Sequence, residues 1–213
     1  METLVESVQY IFAHTDTFLT AVKIHLTLSV TAMLIGIILC VPLGIYLAKS
    51  NKGSVFLLNL INMGRVIPSL AVLAFVMPYL GIGFVPSLFA LTMLVCPPIL
   101  INTVAALKEL DKSIIEAAHG IGMDQRRVLY KVELPLALPV IITGIRTSFV
   151  DVIAGASIAA FIGGGGLGEF IINGLVLMKP SLLFVGAIPI ALLALLVDML
   201  MGRLQKWVSP PGV

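Results

Sequence analysis

Few residues of this chain have the type and spacing that covalent chemistry needs. His14, His25 and His119 stand far apart, and no grouping with Cys40, Cys96 or the carboxylates has the spacing of a metal set or a catalytic triad. A Gly-x-Ser-x-Gly elbow is absent, so no serine nucleophile is marked. No GxxxxGK followed by Ser or Thr occurs, so nucleotide phosphates cannot be cradled in that way. Gly163, Gly165 and Gly168 match GxGxxG in form only. That fingerprint needs a strand before it and a helix after it, whereas here it lies between apolar segments. Neither a catalytic residue nor a bound metal or cofactor is expected. What remains is charge and glycine whose work would be mechanical or electrostatic. Arg65, Arg146 and Asp151 interrupt apolar segments, Gly163 to Gly166 form an unbroken run, and one charge-dense stretch reads SIIEAAHGIGMDQRRVLYKVELP over residues 113–135.

The elements that must position these residues are membrane helices. Of 213 residues, 59% are hydrophobic and 11% charged, with a mean hydropathy of +1.12. A soluble domain carries roughly 25% charged residues. The fold class is therefore an all-α integral membrane protein, one domain over 1–213, with lipid as its surroundings and no nucleic-acid partner. Ile24 to Ala48 is free of formal charge for 25 residues, enough for a spanning helix of about 20. It is too long for a signal h-region and follows an acidic start, so it is expected to be retained. Val66 to Leu107 runs for 42 residues, with a Pro/Gly turn at 78–86 dividing it into two spans. Leu136 to about Ile162 and about Ser181 to Met201 supply two more. That makes five transmembrane helices, and a sixth if 55–65 enters the bilayer. Lys49, Lys52, Lys108, Lys112, Arg126, Arg127, Lys131, Arg203 and Lys206 then fall on one side, against Lys23 and Lys179 on the other. The excess of basic residues marks the cytoplasmic face, which gives N-out, C-in. Cys40 and Cys96 lie in apolar runs and are expected to pack there.

Ionised groups inside the bilayer are costly, roughly 2.5–3.5 kcal/mol each on insertion scales. Arg146 and Asp151 should therefore face a pathway, a subunit contact or an internal partner. Five residues apart, they are not an ideal pair with each other. Asp198 is expected to pair locally near the turn of Arg203. Arg65, Pro68 and Ser69 mark either a kink beside a pathway or a helix entrance. The glycine run is either a loop whose bare backbone packs closely or an outer gate.

Within the charged island, Ser113 and Glu116 have capping-box spacing. A short helix is expected from Ile114, presenting Ile114, Ile115, Ala117 and Ala118 and ending at Gly120 and Gly122. Asp124 reads as a second N-cap, with a helix from Gln125 to about Val132 that Pro135 stops. Lys108, Lys112, Arg126, Arg127 and Lys131 are balanced by Glu109, Asp111, Glu116, Asp124 and Glu133, which does not suit a simple lipid-binding patch. The island reads as a docking knob for a protein, or as an ordinary loop between spans.

The order Glu-Ala-Ala, three residues, Gly, nine residues, Ile-x-Leu-Pro marks the inner-membrane permeases of binding-protein-dependent ABC importers. The chain resembles them at Glu116, Ala117, Ala118, Gly122, Val132, Leu134 and Pro135, with Val132 in place of isoleucine. The five-helix plan and the final span are similar to the small methionine-permease-like fold. The resemblance implies that residues 113–135 form coupling helices seated on an ATPase, with Glu116, Ala117, Ala118, Gly122, Asp124, Arg126, Leu134 and Pro135 at the coupling surface. It implies a bacterial cytoplasmic (inner) membrane location and a second permease copy or sister permease. An extracellular solute-binding protein and an ATPase dimer, which uses ATP and Mg, would complete the importer. Arg65, Pro68, Ser69, Arg146, Asp151 and Gly163, Gly164, Gly165 and Gly166 become pathway or gate candidates. IPSLAVLAFVMPYLGIGFVP and GGGGLGEFI most resemble osmoprotectant permeases, implying glycine betaine, carnitine or choline. A methionine-type permease is the alternative, and an uncoupled channel or scaffold the remote one. The single tryptophan, Trp207, lies in the tail, so no aromatic cage is evident and selectivity is expected in the binding protein.

Overall fold

The computed structural model describes residues 2–50 and 69–208. All regular structure among them is helical. In chain order these are α1 (Glu2–Ala13), α2 (Thr15–Lys49), α3 (Ser69–Leu80), α4 (Phe84–Lys108), α5 (Lys112–Gly120) and α6 (Gln125–Val128). A π turn (Leu129–Glu133) joins α6 to α7 (Leu134–Ala159), and a 3-10 turn (Ala160–Ile162) ends it. The glycine loop, α8 (Gly168–Val176) and α9 (Pro180–Val208) follow.

Four helical stretches are long and apolar enough to cross a membrane: Thr15–Lys49, Phe84–Lys108, Gln125–Ile162 and Pro180–Val208. The island lies at one end of this bundle and the glycine loop at the other. Lys49 reaches Glu133 at the island end. Gly83, just past α3, donates to the Ile162 carbonyl beside the glycine loop at 2.7 Å. Lys49 and Gly83 therefore stand at opposite ends of the bundle, and the stretch between them is described only from Ser69 onward. Most of its first half, including Arg65, Pro68 and the expected sixth entry at 55–65, lies outside the described residues.

Glycine sets the close approaches. In lipid there is little hydrophobic drive between helices, so small residues that let backbones meet carry much of the association. A Cβ on Gly36 would lie 2.5 Å from Val95, and one on Gly44 2.7 Å from Thr103, so α2 rides directly on α4. Gly144 and Gly155 do the same for α7 against Asn102 and Leu94. Leu28, Met33, Val95, Ile99, Val104 and Val152 fill the seam. Cys40 and half-buried Cys96 belong to that packing, as the sequence suggests. Several polar side chains bond backbone carbonyls within the bundle. Ser148 donates to the Val95 carbonyl at 3.0 Å, and Thr103 to the Ile99 carbonyl at 2.7 Å.

Pro135 does not stop a helix. It sits in the first turn of α7, where a missing N–H is tolerated, and the π turn carries the chain from α6 without a break. The N-terminal residues form α1, a helix not anticipated from the sequence. Ser7 pins it to the start of α9 by donating to the Ser181 carbonyl at 2.9 Å.

Candidate functional site

The island folds into a compact knob. Asp111, not Ser113, caps its first helix: the carboxylate accepts from the Ser113 N–H at 2.9 Å. A carboxylate suits the positive end of a helix dipole better than a hydroxyl. The Ser113 backbone N–H and hydroxyl hold the Asp111 carboxyl below its ordinary pKa. The helix starts at Lys112 and runs through Gly120, so Gly120 is helical and only Gly122 makes the turn. Gly122 has φ +84°, the left-handed region that glycine enters without steric cost. Its N–H donates to the His119 carbonyl at 2.9 Å, and the Met123 N–H to the Ala118 carbonyl at 3.2 Å. His119 braces the same turn, its Nδ1 lying 3.1 Å from the Met123 carbonyl oxygen as a donor. Asp124 caps the second helix as expected, accepting from the Arg127 N–H at 2.7 Å.

The knob divides into an anchor and an outward face. Ala118 and Val128 are buried and Met123 half-buried, so Ala118 roots the knob and is not presented. Glu116, Ala117, Gly122, Asp124, Arg126 and Pro135 are exposed, and Leu134 is half-buried beneath them. Three exposed apolar side chains share the knob: Ile114 at 45%, Tyr130 at 68% and Ile121 at 81% exposure. Ile121 and Tyr130 were not singled out from the sequence. Their signal is an apolar side chain flanked by turn glycines or basic residues, and only the fold shows that it stays exposed among the described residues. Ile121, between Gly120 and Gly122, gives the knob an exposed apolar tip that can bury against a complementary groove.

The inner charges arrange differently from their sequence spacing. Arg146 on α7 reaches Asp198 on α9 with two donor bonds, Nε to Oδ1 at 2.6 Å and Nη2 to Oδ2 at 2.7 Å. Asp198 therefore pairs across helices and not with the turn of Arg203. Arg146, Asp198, Gly202, Arg203 and Lys206 line a recess of about 520 Å³ near the island end. Asp151 is exposed on α7. Ser69 opens α3.

The glycine loop is a packed plug. Gly164 to Gly168 are all buried and Gly163 is exposed. A Cβ on Gly164 would meet Ser87 Oγ at 2.4 Å and the Ala159 carbonyl at 2.8 Å. Gly166, at φ +85°, sits over His25 so closely that an added Cβ would lie 3.1 Å from the His25 Cβ. His25 is fully buried, and its Nε2 lies 3.0 Å from the Ile153 carbonyl as a donor. The loop thus locks the far ends of α2, α4 and α7 together.

A family model for the binding-protein-dependent transport system inner membrane component matches residues 40–210. The chain belongs to that family. This member is 42% identical over 189 residues to the carnitine transport permease protein OpuCB of Listeria monocytogenes, covering 89% of this chain and 87% of that protein. It is 41% identical to the choline transport system permease protein OpuBB of Bacillus subtilis, with the same coverage. It is 38% identical to the osmoprotectant import permease protein OsmY of Salmonella typhimurium, over 89% of this chain and 81% of that one. In fold it is similar to the MetNI methionine ABC transporter in an inward-facing conformation. The TM-score is 0.83 at 21% identity, over 92% of this chain and 98% of that one. As an inner membrane component, the protein is a multi-pass transport subunit of the bacterial inner membrane, and its family is one of transport components, not of enzymes.

Proposed function

We propose that this chain is the permease subunit of an ATP-driven importer for a quaternary-ammonium compatible solute: glycine betaine, carnitine or choline. The observation that carries the reading is the identity of about two residues in five with carnitine and choline permeases along 89% of the chain. The likeness to the methionine transporter concerns the fold alone.

The knob supplies the mechanism. In the N-out, C-in orientation that the basic residues favour, it faces the cytoplasm and seats Ile114, Ile121 and Tyr130 in a groove of a separate ATPase dimer. ATP and its Mg are bound there, and no covalent change is made in this chain. A solute-binding protein delivers substrate at the opposite, glycine-loop face. A second copy or sister permease completes the pathway, because the four long helices described are few to enclose a solute. Closure of the ATPase then moves the knob as a rigid body and alternates access. Asp151, exposed among the apolar residues of α7, is the pathway side chain this arrangement favours, since a carboxylate tolerates a wet cavity far better than lipid. Arg146 is held by Asp198 and serves the α7–α9 contact.

The test is uptake of labelled glycine betaine, carnitine, choline and methionine in cells lacking their own importers, with the chain expressed beside its neighbouring subunits. ATP-dependent uptake of a quaternary ammonium solute is the expected result. Uptake of methionine alone would keep the mechanism and overturn the solute class.

A further inference from the structure

Glu133 is the only buried carboxylate among the described residues, at 2% exposure. It ends the π turn, at the point where the knob passes into α7. Lys49, the last residue of α2, donates Nζ to its Oε1 and lies against Oε2 as well. Ile45, Ala48, Leu134 and Ala137 close an apolar cluster over the same end of the bundle. A desolvated carboxylate is strongly unfavourable without its counter-charge, so displacement of Glu133 carries Lys49 with it. Position 133 is the free place in the Ile-x-Leu-Pro pattern, so this pairing is no part of the motif by which the island is recognised.

The junction itself is built to yield. Pro135 has no N–H to offer the turn before it, and the Leu134 N–H reaches back five residues to the Leu129 carbonyl. The five-residue π turn beside it is a rare form, frequent at functional sites. A junction with a missing rung lets the knob tilt relative to α7, while the ion pair passes the tilt sideways to α2. From Lys49 back to His25 the helix rises through 24 residue steps, about 36 Å at 1.5 Å each. At that far end His25 bears on Gly166 and reaches the Ile153 carbonyl.

We propose that the Lys49–Glu133 ion pair is the joint through which movement of the knob reaches α2 and, along it, the glycine loop. Lys49 and Glu133 are then positioning residues for alternating access, and this rests on the reading of the knob as the ATPase docking element.

The experiment uses the complete importer, with its ATPase and binding protein, in liposomes. Solute uptake and ATP hydrolysis are measured together for wild type, Lys49→Met, Glu133→Gln and the exchange Lys49→Glu/Glu133→Lys. The joint predicts that solute moved per ATP falls at least fivefold in each single variant and returns to within twofold of wild type in the exchange. The amount of ATPase retained in each purified complex is recorded beside it. A wild-type ratio in the single variants would overturn the proposal. So would uptake and hydrolysis falling in step, or an exchange that restores neither assembly nor ratio, since a purely structural pair would behave so. A wild-type complex that shows no ATP-dependent uptake of any solute would instead contradict the transport reading, and that result needs no variant.

Discussion

Arg146 and Asp198 belong to different helices, yet two short bonds fix the guanidinium against the carboxylate. Each charge makes the other tolerable within an apolar segment, and neither has a substitute partner printed by its own helix spacing. Arg146→Ala or Asp198→Ala should therefore each lower the thermal unfolding temperature of the purified protein, and the double variant should be no less stable than the worse single one. Additive losses would show that the two side chains act independently. The sequence displays the intramembrane charges but not their pairing, because the partner lies 52 residues away on another helix. Proximity along the chain points instead to Asp151 and Arg203. The same limit applies to Glu133, whose partner Lys49 is 84 residues distant. Capping errs for a different reason. Asp111 and Ser113 are both competent caps, and the stronger acceptor at the extended position wins.

At the scale of elements, the two ends of the bundle use glycine in opposite ways. Gly166 has a left-handed φ and His25 pressed against it, so Gly166→Ala meets both backbone strain and a contact at 3.1 Å. Gly120 is helical with nothing within 4 Å of an added Cβ. Gly166→Ala should destabilise the protein by at least about 1 kcal/mol, whereas Gly120→Ala should be neutral or stabilising by up to about 1 kcal/mol, both read by thermal unfolding in detergent. Equal effects would contradict the packed-plug account of the loop. Much of the element plan is legible from composition: the long apolar runs and the island between them appear where the charges put them, and Asp124 caps where the turn residues place it. The π turn is not legible, because Pro135 read locally is a stop signal and only the continuous packing of α6 onto α7 turns it into an entrance. Nor is α1, which is amphipathic rather than uniformly apolar and is fixed by Ser7 to the start of α9, 174 residues away.

At the scale of the whole molecule, the knob and the glycine plug sit at opposite ends of the long helices, and the described chain passes from one end to the other each time it crosses. Such an arrangement suits a device that receives force at one face and solute at the other. Its functional class is legible in the sequence because the Glu-Ala-Ala to Leu-Pro spacing spans the knob. The apolar tip that would meet a partner is not, since exposure is a property of the folded turn. Ile121 is 81% exposed and makes no contribution to the core, so Ile121→Asp should leave the fold intact. Burying such a side chain in a groove is worth about 2 kcal/mol, or roughly thirtyfold in affinity. The most direct measurement is therefore ATPase binding to the purified permease, wild type against Ile121→Asp, with ATP-driven uptake followed in the same preparations. Binding should weaken about thirtyfold or more, and uptake should be lost while the permease stays folded. An Ile121→Asp permease that binds the ATPase and transports as well as wild type would contradict docking through the knob.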